Sequence, residues 1–180
     1  MSTDIRAVTP LLIVFLDLTR YAAESQRVGD AETADTIDAY YVRLSDAIDA
    51  AGGTTVKFIG DAALAVFPEN AIDAGVAMLL ELKTSVDAFM ATRGWACRLT
   101  AKAHFGEVVA GQFGPGRDRR FDVLGRAVNT AAMLQSGGVT LSAEAFRKLS
   151  PSLRQRFKKH TPPVVYIRGD DPRPARRGGG

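Results

Sequence analysis

The alternation of paired apolar runs with long amphipathic stretches predicts an α+β sandwich built on a mostly antiparallel sheet. Two observations carry that expectation. Short apolar runs come in pairs joined by tight turns, as hairpins do. Between them lie stretches whose apolar residues recur every three or four positions, as crossover helices require. The 180-residue length fits one compact domain, and 46% hydrophobic residues can fill a substantial core.

The elements follow in order. Leu11-Leu12-Ile13-Val14-Phe15-Leu16 is a continuous apolar run that reads as a strand buried on both faces, with Asp17 at its end. Ile37, Tyr40, Tyr41, Leu44 and Ile48 then recur at helical steps, with Asp35, Asp38, Arg43 and Asp46 between them, and Gly52-Gly53 ends that helix. Thr54 to Ile59 reads as a strand, Gly60-Asp61 as a tight turn and Ala62 to Phe67 as the hairpin partner, which puts Asp61 at the tip. A second helix is expected from Asn70, as its cap, through Ile72, Val76, Leu79, Leu82, Val86 and Phe89 to Gly94.

Arg98 to Phe105 and Glu107 to Phe113 read as another strand pair flanking Gly106. A basic, glycine-rich connection over 114–120 leads to Phe121-Asp122-Val123-Leu124. Val128 to Leu134 is expected as a short helix, Val139 to Leu141 as a strand, Ala143 to Leu149 as a helix, and Val164 to Ile167 as a closing strand after Pro162-Pro163. The domain is therefore expected over 10–168, after a short N-terminal segment of residues 1–9. Residues 169–180 form a basic Pro/Gly tail, expected to be disordered because it cannot bury apolar surface.

Composition narrows the function. A net charge of +3, part of it from Arg173, Arg176 and Arg177 in the tail, is too small to imply a nucleic-acid surface. The single cysteine, Cys97, leaves no internal disulfide and no cysteine-based zinc cluster, and reads as a small core residue on a strand. Met1-Ser2-Thr3-Asp4-Ile5-Arg6 lacks the basic start and long apolar stretch of a signal peptide, and no run reaches membrane-spanning length. The chain reads as cytosolic.

Asp17 and Asp61 each end an apolar run. Two such strand tips side by side would repel unless a cation lay between them, and Mg²⁺ is a hard ion commonly held by one or two carboxylates, water and substrate phosphates. Phosphate chemistry is the first expectation. Aspartate is also a common cap and turn residue, so Asp17, followed by Leu18-Thr19-Arg20-Tyr21, is equally placed to end a strand and start a helix.

Four segments carry a more specific signal: Phe15-Leu16-Asp17-Leu18, Lys57 to Ala62, Gly106 to Gly111, and Phe121 to Ala131. In this order and spacing they resemble the class III nucleotidyl cyclase catalytic domain, over about residues 10 to 167. The resemblance implies a ferredoxin-like fold working as a head-to-tail homodimer, with composite active sites at the interface. Asp17 and Asp61 match the family's metal-binding aspartates, implying two Mg²⁺ or Mn²⁺ ions per active site. One ion would activate the ribose 3′-hydroxyl for attack on the α-phosphorus, and the other would neutralise departing pyrophosphate.

Further roles follow from the same resemblance. Lys57 matches the lysine that donates to adenine N1, and Asp122 the aspartate that accepts from the N6 amino group, a pattern that mismatches guanine. Asn129 matches the asparagine that orients ribose and transition state from the partner subunit. Where the family commonly carries a transition-state arginine, this chain has Met133, which can neither donate a hydrogen bond nor carry charge. Losing such a donor typically costs about 10²–10³-fold in rate. Arg119, Arg120 and Arg126 are the candidates to compensate.

In the phosphate loop the family's glycine, phenylalanine and threonine or serine are replaced by Arg20, Tyr21 and Ala22, with backbone amides still available to phosphate. Lys158 and Lys159 fall where the family has a triphosphate-binding lysine. The function implied is an adenylate cyclase converting ATP to 3′,5′-cyclic AMP and pyrophosphate. The alternatives are a cyclase for another nucleotide, GTP or a pyrimidine, and a weakly active or silent regulatory domain. A nucleic-acid polymerase with a related palm lacks the length for fingers and thumb.

Overall fold

The computed structural model describes residues 6–161 and 164–171. The elements are β1 (Ala7–Leu18), α1 (Tyr21–Val28), α2 (Asp30–Ala50), β2 (Thr54–Ile59), β3 (Ala62–Pro68), α3 (Ile72–Thr92), β4 (Leu99–Phe113), β5 (Arg120–Leu124), α4 (Arg126–Met133), β6 (Val139–Ser142), α5 (Ala143–Lys148), α6 (Pro151–Arg154), β7 (Phe157–His160) and β8 (Val165–Arg168). The strands form one sheet in the order β2-β3-β1-β4-β6-β8-β7, with β5 paired to β4 beside this path. Every pairing is antiparallel except β4 with β6. This is the α+β architecture that the sequence predicts.

β1 is the spine of the sheet. It pairs with β4 from Ala7↔Ala110 to Leu18↔Leu99 and with β3 from Leu11↔Pro68 to Leu16↔Ala63. A strand flanked on both sides and covered on both faces needs apolar residues at every position, which is why this run shows no alternation. Its side chains still divide by parity. Leu12, Val14, Leu16 and Leu18 pack with Tyr40, Leu44 and Ile48 of α2 and Val76, Leu79 and Met90 of α3. Leu11, Ile13 and Phe15 join a second, smaller core with Leu64, Val66, Val108, Val123, and Ala127 and Ala131 of α4. Asp17 continues this second row.

Three features depart from the sequence reading. Residues 99–113 form one continuous strand, and Gly106 sits inside it opposite Leu11 rather than at a turn. A Cβ there would lie 2.8 Å from the Ala127 Cβ, so the glycine lets α4 approach the sheet. α1 starts where Asp17 to Tyr21 allow a helix to begin, but its extent has no sequence signal, because the buried residue of its eight is Glu24 and no apolar stripe marks it. β7 was missed because Phe157-Lys158-Lys159-His160 is polar; at the sheet edge only one face of it is covered.

Helix starts also shift slightly. α3 begins at Ile72 after a single tight turn over Glu69–Ala71, and the Ser142 hydroxyl caps α5 by accepting from the Ala145 amide at 3.2 Å. Cys97 is buried in the larger core just before β4. Of the tail, residues 172–180 lie outside the described residues, as do Pro162-Pro163. Asp171 is buried, and its carboxylate accepts from the Val139 amide at 2.6 Å.

Candidate active site

The β2–β3 hairpin closes through Gly60 and Asp61, between the paired residues Ile59 and Ala62. Gly60 adopts φ +61°, which suits the two-residue turn and which a side chain would strain. The turn carries Asp61 to the end of β1. There the Leu18 amide donates to Asp17 Oδ1 at 3.0 Å and to Asp61 Oδ2 at 3.3 Å. Thr100 fixes the strand end by donating its hydroxyl to the Asp17 carbonyl at 3.3 Å. Two half-buried carboxylates thus meet around one donor.

Electrostatics reports the same crowding. Burial, together with the hydrogen bond and negative charge of Asp17, pushes the Asp61 carboxyl up to about 6 from its ordinary 3.8. Such a pair lacks positive charge and fits a divalent cation. Among the described residues no group of three or more His, Cys, Asp or Glu side chains is clustered for metal binding. A hard ion held by two carboxylates, with water and phosphate oxygens filling its shell, suits that donor set.

Tyrosines line this corner. Tyr40 is fully buried and donates its hydroxyl to the Asp61 carbonyl at 3.3 Å, while the Tyr41 hydroxyl donates to the Gly60 carbonyl. Burial, then the charges of Asp61 and Asp17, raises the Tyr40 hydroxyl far above its usual range, so it remains a donor. The sequence pattern marked both tyrosines as helix-face residues; nothing in the spacing revealed their contact with the turn. Tyr21 packs near Trp95, ring centroids 6.4 Å apart, and burial and the Asp61 charge raise its hydroxyl as well. Arg20, exposed beside it, holds φ +61°, the only non-glycine positive φ among the described residues.

A second pair forms on another part of the chain. Lys57 Nζ lies 2.7 Å from Asp122 Oδ2, joining β2 to β5, and Asp122 Oδ1 accepts from the Val123 amide at 2.8 Å. Lys57 stands opposite Leu64, on the face of the sheet that α4 covers. Asn129 is exposed on α4, on the side away from buried Ala127 and Ala131. Met133 ends the same helix with 73% of its surface exposed. Lys102, not singled out from the sequence, donates to the neighbouring Ala132 carbonyl at 3.3 Å. Arg119, Arg120 and Arg126 are exposed around β5 and the start of α4.

Lys158 and Lys159 lie on β7, at the sheet edge opposite β2. Both are exposed, and Lys158 donates to the carbonyls of Gly169 at 2.6 Å and Asp171 at 3.4 Å. Within one chain, then, Asp17 and Asp61 come together beside Arg20 and Tyr21, and Lys57 meets Asp122. Asn129 lies on α4, and the two lysines lie on β7 at the far edge of the sheet from β2.

Residues 4–174 match the model of the adenylate and guanylate cyclase catalytic domain. The chain belongs to that family. Adenylate cyclase 2 of Rhizobium meliloti (strain 1021) is 25% identical over 167 residues, covering 89% of this cyclase domain and 44% of the relative. This chain therefore spans under half the length of that relative. The adenylyl cyclase CyaB from P. aeruginosa shares the fold with a TM-score of 0.80 at 20% identity, over 98% of this chain and 100% of that one. The guanylate cyclase domain of RhGC from Catenaria anguillulae, solved in complex with GTP, aligns at TM-score 0.72 and 20% identity, over 84% and 86% of the two chains. No helix among the described residues of this cyclase domain is long and apolar enough to cross a membrane.

Proposed function

We propose that this domain is an adenylate cyclase that converts ATP to 3′,5′-cyclic AMP and pyrophosphate at composite sites of a homodimer. The observation that carries the reading is the meeting of Asp17 and Asp61 around the Leu18 amide. A cyclisation on phosphorus needs charge compensation and placement more than covalent help. Mg²⁺ or Mn²⁺ bound there would supply activation of the 3′-hydroxyl and neutralisation of the leaving pyrophosphate. Asp17 and Asp61 would hold it, and the backbone amides at the start of α1 would be available to the phosphates.

Lys57 and Asp122 favour ATP. A lysine donates only and an ionised aspartate accepts only, so the pair complements the ring nitrogen and amino group of adenine and opposes the guanine edge. Their 2.7 Å contact holds both groups at one place for a base to meet. In the homodimer they come, with Asn129, from the copy facing the metal-holding one. Phe121, Leu124 and Met133, apolar and exposed by 36%, 48% and 73%, support an interface on the α4 side. The reading places the domain in the cytosol, with its nucleotides.

The test is incubation of the purified domain with ATP, GTP, UTP or CTP and Mn²⁺, followed by mass analysis of the products. Cyclic AMP and pyrophosphate from ATP are expected; cyclisation of another nucleotide in its place overturns the substrate assignment. Met133 favours a second reading, a weak or silent regulatory domain, since this exposed side chain brings no charge to a phosphate. Nucleotide binding without pyrophosphate release would select it.

A further inference from the structure

We infer that Tyr40 and Tyr41 of α2 are positioning residues for Asp61, and that their hydroxyls set the affinity of the carboxylate pair for a divalent cation. The inference rests on the reading of Asp17 and Asp61 as a metal site and adds residues that the reading does not include. Asp61 sits on a two-residue turn at the tip of a hairpin, and β2 is the edge strand of the sheet. Such a tip has little neighbouring backbone to hold it. Two successive carbonyls of the turn, those of Gly60 and Asp61, each accept a tyrosine hydroxyl.

The geometry of α2 makes the grip two-sided. Consecutive helix residues diverge by about 100°, so Tyr40 enters the core beneath the turn while Tyr41 flanks it. The Tyr41 ring stacks on Phe58 of β2, centroids 3.9 Å apart and planes 16° from parallel. The hairpin is thereby fastened by a ring contact on its strand and by hydroxyls at its tip. With the backbone of the turn fixed, the Asp61 carboxylate is presented to the Leu18 amide and to Asp17. Ligand groups held in place by outer hydrogen bonds bind metal more tightly, and removing such partners typically costs about 10–100-fold.

The experiment is Mn²⁺ binding to the metal-free protein, by electron paramagnetic resonance and calorimetry, for wild type, Tyr40→Phe, Tyr41→Phe and Asp61→Asn. Tyr41→Phe keeps the ring on Phe58 and removes only the hydroxyl, so it serves where Tyr40→Phe disturbs the core. Each Phe variant is expected to weaken Mn²⁺ by about tenfold, with the melting temperature of metal-free Tyr41→Phe near that of wild type. Unchanged Mn²⁺ affinity in Tyr41→Phe, beside lost binding in Asp61→Asn, overturns the inference and leaves the metal site standing. A loss that vanishes once corrected for the folded fraction also overturns it. Wild-type protein that binds no Mn²⁺ overturns both.

Discussion

Asp17 and Asp61 share a single donor, the Leu18 amide, at 3.0 and 3.3 Å. One N–H cannot compensate two carboxylates, and the deficit has a sign that can be measured. Asp61 is raised to about 6 in the fold from an ordinary value of 3.8. Between those values the folded chain binds more proton than the unfolded one, so metal-free stability falls as pH rises from about 4 to about 6. His104, whose pKa burial depresses, contributes the opposite slope. The Asp61 effect is therefore the difference between wild type and Asp61→Asn. Urea unfolding of both from pH 4 to 7 is expected to show the variant gaining relative stability as pH rises. Mn²⁺ is expected to stabilise wild type alone at neutral pH.

The Lys57–Asp122 contact separates specificity from stability. The two side chains retain 41% and 24% exposure, and partly exposed ion pairs contribute about 0–1 kcal/mol. Lys57→Glu is thus expected to shift the melting temperature little. It places two carboxylates where the proposed adenine contact needs a donor, and the ratio of kcat/KM for ATP over GTP is expected to fall at least about tenfold. Steady-state rates with both nucleotides measure it; an unchanged ratio removes Lys57 from base recognition.

Composite sites make a prediction about mixtures. On the proposed homodimer, Asp61→Asn would lack a carboxylate of the metal pair and Asn129→Ala the amide assigned to the ribose, so each homodimer is expected to be inactive. Random exchange of equal amounts makes half the dimers mixed, each with one intact site of two, so about a quarter of wild-type activity returns in a two-fold symmetric dimer. Activity that stays absent after subunit exchange, checked by sedimentation, argues for sites within one chain.

Much of this was legible in the sequence because burial on both faces leaves an unmistakable run. Leu11 to Leu16 announced the central strand, and the change to Asp17 marked its end. Gly60-Asp61 was readable as a turn because φ +61° suits glycine. What stayed hidden depends on contacts between distant segments. Gly106 looks like a turn residue until α4 is seen 2.8 Å from where its side chain would be. The β7 residues are polar because an edge strand needs only one buried face. The tyrosine hydroxyls on Gly60 and Asp61 leave no periodic trace, since the same rings satisfy the helical pattern.

Arg20 holds a conformation that glycine would hold without cost. Its φ of +61° places an L-residue with a Cβ in the left-handed region, at about 1–2 kcal/mol. Strain of that kind persists where surrounding structure or function holds it. Arg20 opens α1 next to Tyr21, three residues after Asp17, and we propose that its guanidinium meets a bound phosphate. Two substitutions divide backbone from charge. Arg20→Gly relieves the strain but gives the unfolded chain more freedom, so stability is expected to rise by at most about 1 kcal/mol. Arg20→Ala keeps the strain and removes the charge. Both are expected to weaken ATP binding about tenfold, as loss of a charge-assisted hydrogen bond does. Calorimetric titration with a non-hydrolysable ATP analogue decides: if both variants bind as wild type does, the side chain points to solvent and the left-handed turn serves the backbone alone.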